Sequence, residues 1–300
     1  MSTYSYGNDE LQQIKVWNYN PDNKHTYIYI HGGAWKDPKN TFDELAPVAN
    51  TTPESTFIGI NYRLTSQRVK HPLHLVDVAR AIIYIATNFK TQQKHLLGYS
   101  VGATMILQFL QFKYHFSEAF DFYVLSNPDD ENYGEFGDLL VADELHLLED
   151  NENLIARLDE LIKLDQLYFT SVKFLDGIYD LPELIEEYPQ YAPWFINEAY
   201  PDAKLIALTS LSNPILINNG KLAPATYTSN ASMIDAKTTI YIVHSLQDEL
   251  LSLKQTQLLS DFFNKTLHGG CIVMTGNWGK HDDVYGDNRK EIFLFGGGVA

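Results

Sequence analysis

The sequence predicts an α/β fold, a mainly parallel central sheet flanked by helices. Three observations carry this. Short apolar runs alternate with helix-length amphipathic segments, the pattern of strands joined by crossover helices. The run at 25–30 is dense in β-branched and aromatic residues and reads as a buried strand. Three hundred residues with 45% hydrophobic content suffice for one large core.

Taken in order, strands are expected at HTYIYI (25–30), STFIGINY (55–62), KHLLGY (94–99), SVKFLDG (171–177), TTIYIVHS (238–245) and GCIVMTG (270–276). Helices are expected at 73–89, 101–112 and 253–265, where apolar residues recur at helical spacing. The stretch 114–170 breaks the rhythm. From Asp129 to Glu152 it holds ten carboxylates and no lysine or arginine, so it reads as a solvated acidic insertion. NLIARLDELIKL (153–164) then returns the chain to the sheet as an amphipathic helix. Without an internal repeat or low-complexity linker, residues 1–300 read as a single domain carrying that insertion.

Composition narrows the function classes. The net charge of −16 disfavours nucleic acid or an anionic membrane as partner. Cys271 is the sole cysteine, which excludes an intrachain disulfide and fits a reducing compartment. No basic-then-apolar leader opens the chain and no apolar stretch is long enough to span a bilayer, so a soluble, cytoplasmic protein is expected.

The chemistry centres on GYSVG, in which Gly98, Ser100 and Gly102 form G-x-S-x-G between an expected strand and an expected helix. That is the context of a nucleophile elbow, whose small flanking residues allow the sharp turn that exposes a serine hydroxyl. The helix amide of Val101 is the natural oxyanion donor. Serine needs a base at neutral pH, and in this arrangement an acid and then a histidine follow later in the chain. Asp248 lies after the strand 238–245, with Asp235 and Glu249 as rivals. His281 follows the last strand, whereas His268 precedes it and falls at the wrong end. Asp282 and Asp283 could alternatively make a local charged loop around His281. Early in the chain, Gly32 and Gly33 follow the strand 25–30. They supply further oxyanion amides or, alternatively, an ordinary tight turn.

HGGAW, GINYRL, GYSVG, HSLQDELL and KHDDVY together resemble the α/β-hydrolase superfamily, and within it the kynurenine formamidases (arylformamidases), whose marker is H-G-G-x-W. FLDGIYDLPELIEEYPQY (174–191) is also similar to that family's middle region, so the likeness runs from about residue 26 to 290. Tyr99 departs from the histidine that many members place before the serine. The resemblance implies hydrolysis of N-formyl-L-kynurenine to L-kynurenine and formate, a step of tryptophan catabolism that feeds NAD synthesis. It places the nucleophile on Ser100, the acid on Asp248, the base on His281 and the oxyanion motif on His31 to Trp35, with no metal and no cofactor.

For the substrate pocket, His31, Trp35, Tyr99 and Trp194 are candidate contacts. Tyr188, Tyr191, Phe195 and Tyr200 are further aromatics that either line the site or pack in the core. Arg63 is a candidate cation for the substrate carboxylate. Two other readings stand beside this one: a general carboxylesterase or lipase-like hydrolase, and a non-catalytic scaffold of the same fold. A homodimer is an open option for its assembly.

Overall fold

The computed structural model describes residues 1–125, 153–211, 217–218, 221–222, 233–235, 237–266 and 270–296. The acidic run 129–152 and His268 therefore lie outside the described residues. Ten strands are described: β1 (Ser2–Ser5), β2 (Gln13–Trp17), β3 (His25–Ile30), β4 (Thr56–Ile60), β5 (Gln93–Tyr99), β6 (Ser171–Leu175), β7 (Ile217–Asn218), β8 (Lys221–Leu222), β9 (Thr239–Ser245) and β10 (Ile272–Gly276). Eight of them form one sheet in the order β1-β2-β4-β3-β5-β6-β9-β10, and β7 and β8 make a separate two-stranded ribbon.

From β4 to β10 every neighbouring pair in the sheet is parallel, as the alternation of strands and helices predicts. The two antiparallel pairings, β1 with β2 and β2 with β4, were not anticipated. In β2, Ile14 and Val16 are buried while Gln13 and Lys15 are half-buried, so a period-2 signal was present in QIKVW. β1 is exposed throughout and carries no apolar pattern; its backbone pairing alone defines it.

Successive residues of a strand face opposite sides of the sheet, and two cores result. Ile28 and Ile30 of β3, Val172 and Phe174 of β6, and Ile240 and Ile242 of β9 pack with the helices Leu73–Asn88, Val101–Leu110 and Leu253–Thr266. Tyr27, Tyr29, Leu175, Tyr241 and Val243 point the other way, onto Leu45, Val48 and the C-terminal helix Arg289–Leu294. Every residue of β3 is buried, which is why its stretch from Tyr27 to Ile30 reads as an unbroken run of aromatic and β-branched residues. The expected helix 101–112 ends at Leu110, and a second helix, Phe112–Leu125, follows immediately. Residues 153–163 are helical, as expected for the return segment.

This topology decides where chemistry can occur. Ile30 pairs with Gly98, Leu175 with Val243, and Ser245 with Gly276. The loops after β3, β5, β6, β9 and β10 therefore leave the sheet at one edge, the carboxyl ends of the strands.

Candidate active site

Ser100 sits between β5 and the helix Val101–Leu110 with φ +52° and ψ −122°. A non-glycine residue rarely adopts such a conformation, and it persists here because the surroundings hold it. Its amide donates to the Leu175 carbonyl at 2.9 Å, tying the elbow to β6. A Cβ on Gly102 would press into the carbonyls of Ile30 and His31, and one on Gly98 into the Gly102 backbone. The two motif glycines thus let helix, β5 and the end of β3 meet at van der Waals distance. Val101 opens the helix, where an amide has no partner one turn earlier.

The loop after β3 is built around its peptide planes. The Gly32 carbonyl accepts from the Tyr62 hydroxyl at 2.9 Å and from His31 Nδ1 at 2.9 Å, both buried. A trans peptide points its N–H opposite to its C=O, so the Gly33 amide is turned away from that core. Gly33 lines the cavity described below and has φ +91°. Its carbonyl accepts from the amides of Lys36 and Asp37, closing the turn. Gly32 lies directly against the elbow: a Cβ added there would stand 3.0 Å from Ser100 Cβ.

Asp248 and His281 meet at 2.7 Å, His281 Nδ1 donating to Asp248 Oδ2. Asp248 Oδ1 accepts from the amides of Leu250 and Leu251 at 2.8 and 2.9 Å, so its carboxylate is fixed in orientation. Burial pushes that carboxyl up, but the bond and charge of His281 and the two amides hold it below its usual value. Burial pulls the His281 imidazole down, and Asp248 outweighs this, with Asp176 and Asp282 adding, so the net effect is an imidazole more basic than usual. The His281 backbone is held too. Its amide donates to Glu249 Oε2 at 3.0 Å, and its carbonyl accepts from the Tyr99 hydroxyl.

Ser100, Val101, Tyr99, Gly33 and His281 share one cavity of about 470 Å³. Its other walls are apolar or aromatic, with Ile178, Tyr191, Trp194, Phe195, Leu250 and Leu251, and Lys36, Asp37 and Asp282 also contribute to the lining. Tyr191 and Phe195 belong to or flank a π-helical turn, Ala192–Ile196, which also carries the half-exposed Trp194 of the lining.

Several expected residues are placed elsewhere. Trp35 is 1% exposed and packs on His74, Phe195 and Tyr200 behind the lining, so it wedges the loop after β3 rather than facing the cavity. His31 also lies outside the lining. It stacks on Tyr62 with centroids 4.4 Å apart, and burial drives its imidazole down to about 4, hence neutral. Arg63 is taken by the buried Asp77 through two hydrogen bonds of 2.8 and 2.7 Å, and the cavity cation among the described residues is Lys36. Lys36 Nζ bridges to Glu198 at 2.6 Å and to the Trp194 carbonyl at 3.1 Å. Tyr200 stacks on His71, and Tyr188 stacks on Tyr191. Of the rivals for the acid, Asp235 accepts from Tyr168 and Lys237 before β9 begins, and Glu249 holds the His281 backbone. Asp283 accepts from the Lys280 amide.

Sequence reasoning missed Asp176, a buried carboxylate directly after β6. The expected strand 171–177 enclosed it, whereas β6 ends at Leu175, so the rule that singled out Asp248, an aspartate just past the carboxyl end of a strand, reaches Asp176 only with the observed boundary.

A family model described as BD-FAE matches residues 14–115. A kynurenine formamidase of Scheffersomyces stipitis is 36% identical over 289 residues, covering 93% of this chain and 92% of the relative. One from Saccharomyces cerevisiae is 30% identical over 274 residues, covering 89% and 86%. Among solved structures, a carboxylesterase from Lactobacillus plantarum superposes with a TM-score of 0.55 over 98% of this chain and 94% of that one, at 12% identity, a likeness of fold. No helix among the described residues is long and apolar enough to cross a membrane. A serine in the strand-to-helix turn, an acid–histidine pair at the same cavity and relatives matched along nearly their whole length converge: the chain belongs to the kynurenine formamidase family, built on the α/β-hydrolase fold.

Proposed function

We propose that the protein hydrolyses the formyl amide of N-formyl-L-kynurenine to L-kynurenine and formate, with Ser100, His281 and Asp248 as nucleophile, base and acid. The observation that carries this is the 2.7 Å Asp248–His281 pair opening onto the same cavity as a serine held at φ +52°, in a chain of this family. Ser100 attacks the formyl carbon as His281 Nε2 takes its proton. Asp248 keeps the imidazole proton on Nδ1 and offsets the positive charge that forms. The carbonyl oxygen becomes an oxyanion, which the amides of Val101, Gly33 and Gly32 receive.

His281 then gives its proton to the departing aromatic amine. Water, deprotonated by the same histidine, releases formate from the formyl-serine. The cavity supports this substrate on two counts. Its size falls in the range of small-ligand sites, and its aromatic and aliphatic walls suit an aryl leaving group while the formyl side needs almost no room. Lys36, Asp37 and Asp282 offer charges of both signs to the amino-acid head group.

The test is a comparison of kcat/KM for formate release from N-formyl-L-kynurenine with that for short-chain p-nitrophenyl esters. The formyl substrate is expected to be preferred by orders of magnitude. A preference for the esters would instead make the protein a general carboxylesterase.

A further inference from the structure

A second buried carboxylate stands behind the Asp248–His281 pair and has no part in the reaction as written. Asp176 is 1% exposed and leaves β6 in the left-handed region with φ +39°, an unfavourable conformation for a residue with a Cβ. Its Oδ1 accepts from the Ser245 amide at 2.7 Å, and the Ser245 carbonyl in turn accepts from the Asp248 amide at 3.0 Å. The carboxylate therefore grips the first residue of the turn that carries Asp248. His244 Nδ1 is 3.4 Å from the same oxygen, and polar side-chain atoms of Asp176, His244 and Asp248 lie within 4.8 Å of one another. Tyr285, buried in the segment that follows His281, brings its hydroxyl beside Asp176.

We propose that Asp176 is a positioning residue for the acid–base pair, fastening the Asp248 turn to β6 and setting the basicity of His281 through its own charge. The proposal rests on reading Asp248 and His281 as that pair.

The charges favour this division of roles. Two carboxylates this close in a site shut off from water repel, so a proton settles on one of them. Asp248 accepts three hydrogen bonds, from His281, Leu250 and Leu251, and stays ionised. Asp176 has fewer donors, and burial, with the charge of Asp248 adding, pushes it up to about 7. The groups that face it are Asp248 and His244 from the β9 side, His281 and Tyr285 from the segment after β10, Tyr99 from β5 and Tyr179 from its own strand's exit. Asp176 is thus ionised less readily than an ordinary carboxyl, and whenever it is ionised it places a second negative charge near the imidazole, which makes His281 a stronger base.

Asp176→Asn tests the idea, because the amide oxygen can still accept from Ser245 while the charge is gone. The readout is an NMR titration of the His281 imidazole, which needs no substrate and so stands apart from the formamidase reading, together with the pH profile of kcat. The imidazole pKa is expected to fall by roughly half a unit or more, from removal of one nearby charge. The acid limb of kcat should move the same way with KM little changed. Tyr285→Phe keeps the ring and removes a buried hydroxyl dipole beside Asp176 that lowers that carboxyl, so a smaller shift in the same direction is expected if the asparagine variant does not fold. A His281 titration that superimposes on the wild type in every folded variant would overturn the proposal, whatever happens to stability.

Discussion

Replacing Asp248 by asparagine should cost far more than the loss of one charge suggests. Asp248 Oδ1 is held by two backbone amides, and Oδ2 takes the His281 Nδ1 proton. An asparagine must keep its oxygen on the amides of Leu250 and Leu251, since turning over would point its NH₂ at two other donors. Its NH₂ group then faces His281 Nδ1, and two donors cannot meet there. The imidazole answers by moving its proton to Nε2, the nitrogen that has to accept from Ser100.

Loss of the correct tautomer in a triad costs about 10⁴ in kcat, or about 5.5 kcal/mol of transition-state stabilisation. The assay is steady-state formate release from N-formyl-L-kynurenine with folding checked by circular dichroism. The same substitution removes the influence that keeps His281 above its usual value, so the residual activity should persist to lower pH than the wild type's. The wild type, by contrast, is expected to lose activity as pH falls through the imidazole's raised pKa, where His281 becomes protonated. A kcat within tenfold of the wild type would refute the reasoning.

Two aromatic residues make opposite predictions. Trp35→Ala removes a 1%-exposed ring from between His74, Phe195 and Tyr200 and should destabilise the fold by about 3–5 kcal/mol in urea unfolding. A rise in KM without such a loss would mean that the indole contacts substrate after all. Trp194→Ala removes a half-exposed cavity wall and should raise KM several-fold with kcat held and stability changed by about 0.5 kcal/mol at most. An unchanged KM would take Trp194 out of the pocket.

The parallel part of the sheet was legible because strands such as β3 and β4 are buried on both faces and so are dense in β-branched and aromatic residues. β1 was not, since its four exposed residues are strand only by pairing with β2. In the candidate site, Ser100, Asp248 and His281 could be named from their positions after strands, β5, β9 and β10, a local rule that needs no knowledge of packing. The roles of Trp35, His31 and Arg63 could not. Trp35 is enclosed by Phe195 and Tyr200 from a distant segment, and His31 is neutralised by burial against Tyr62. Arg63 meets Asp77 only because the helix Leu73–Asn88 lies where it does. Lys36 was overlooked for the same reason: its place in the cavity lining depends on the fold of the π-helical segment it binds.

In the proposed reaction Ser100 carries the formyl group, and formate release from N-formyl-L-kynurenine by the purified wild type beside Ser100→Ala is the measurement that decides it. Ready turnover is expected of the wild type, with a loss of about 10⁶ in kcat for the alanine variant, leaving only what binding and the oxyanion amides supply. Turnover by a folded Ser100→Ala protein at a rate near the wild type's would contradict it.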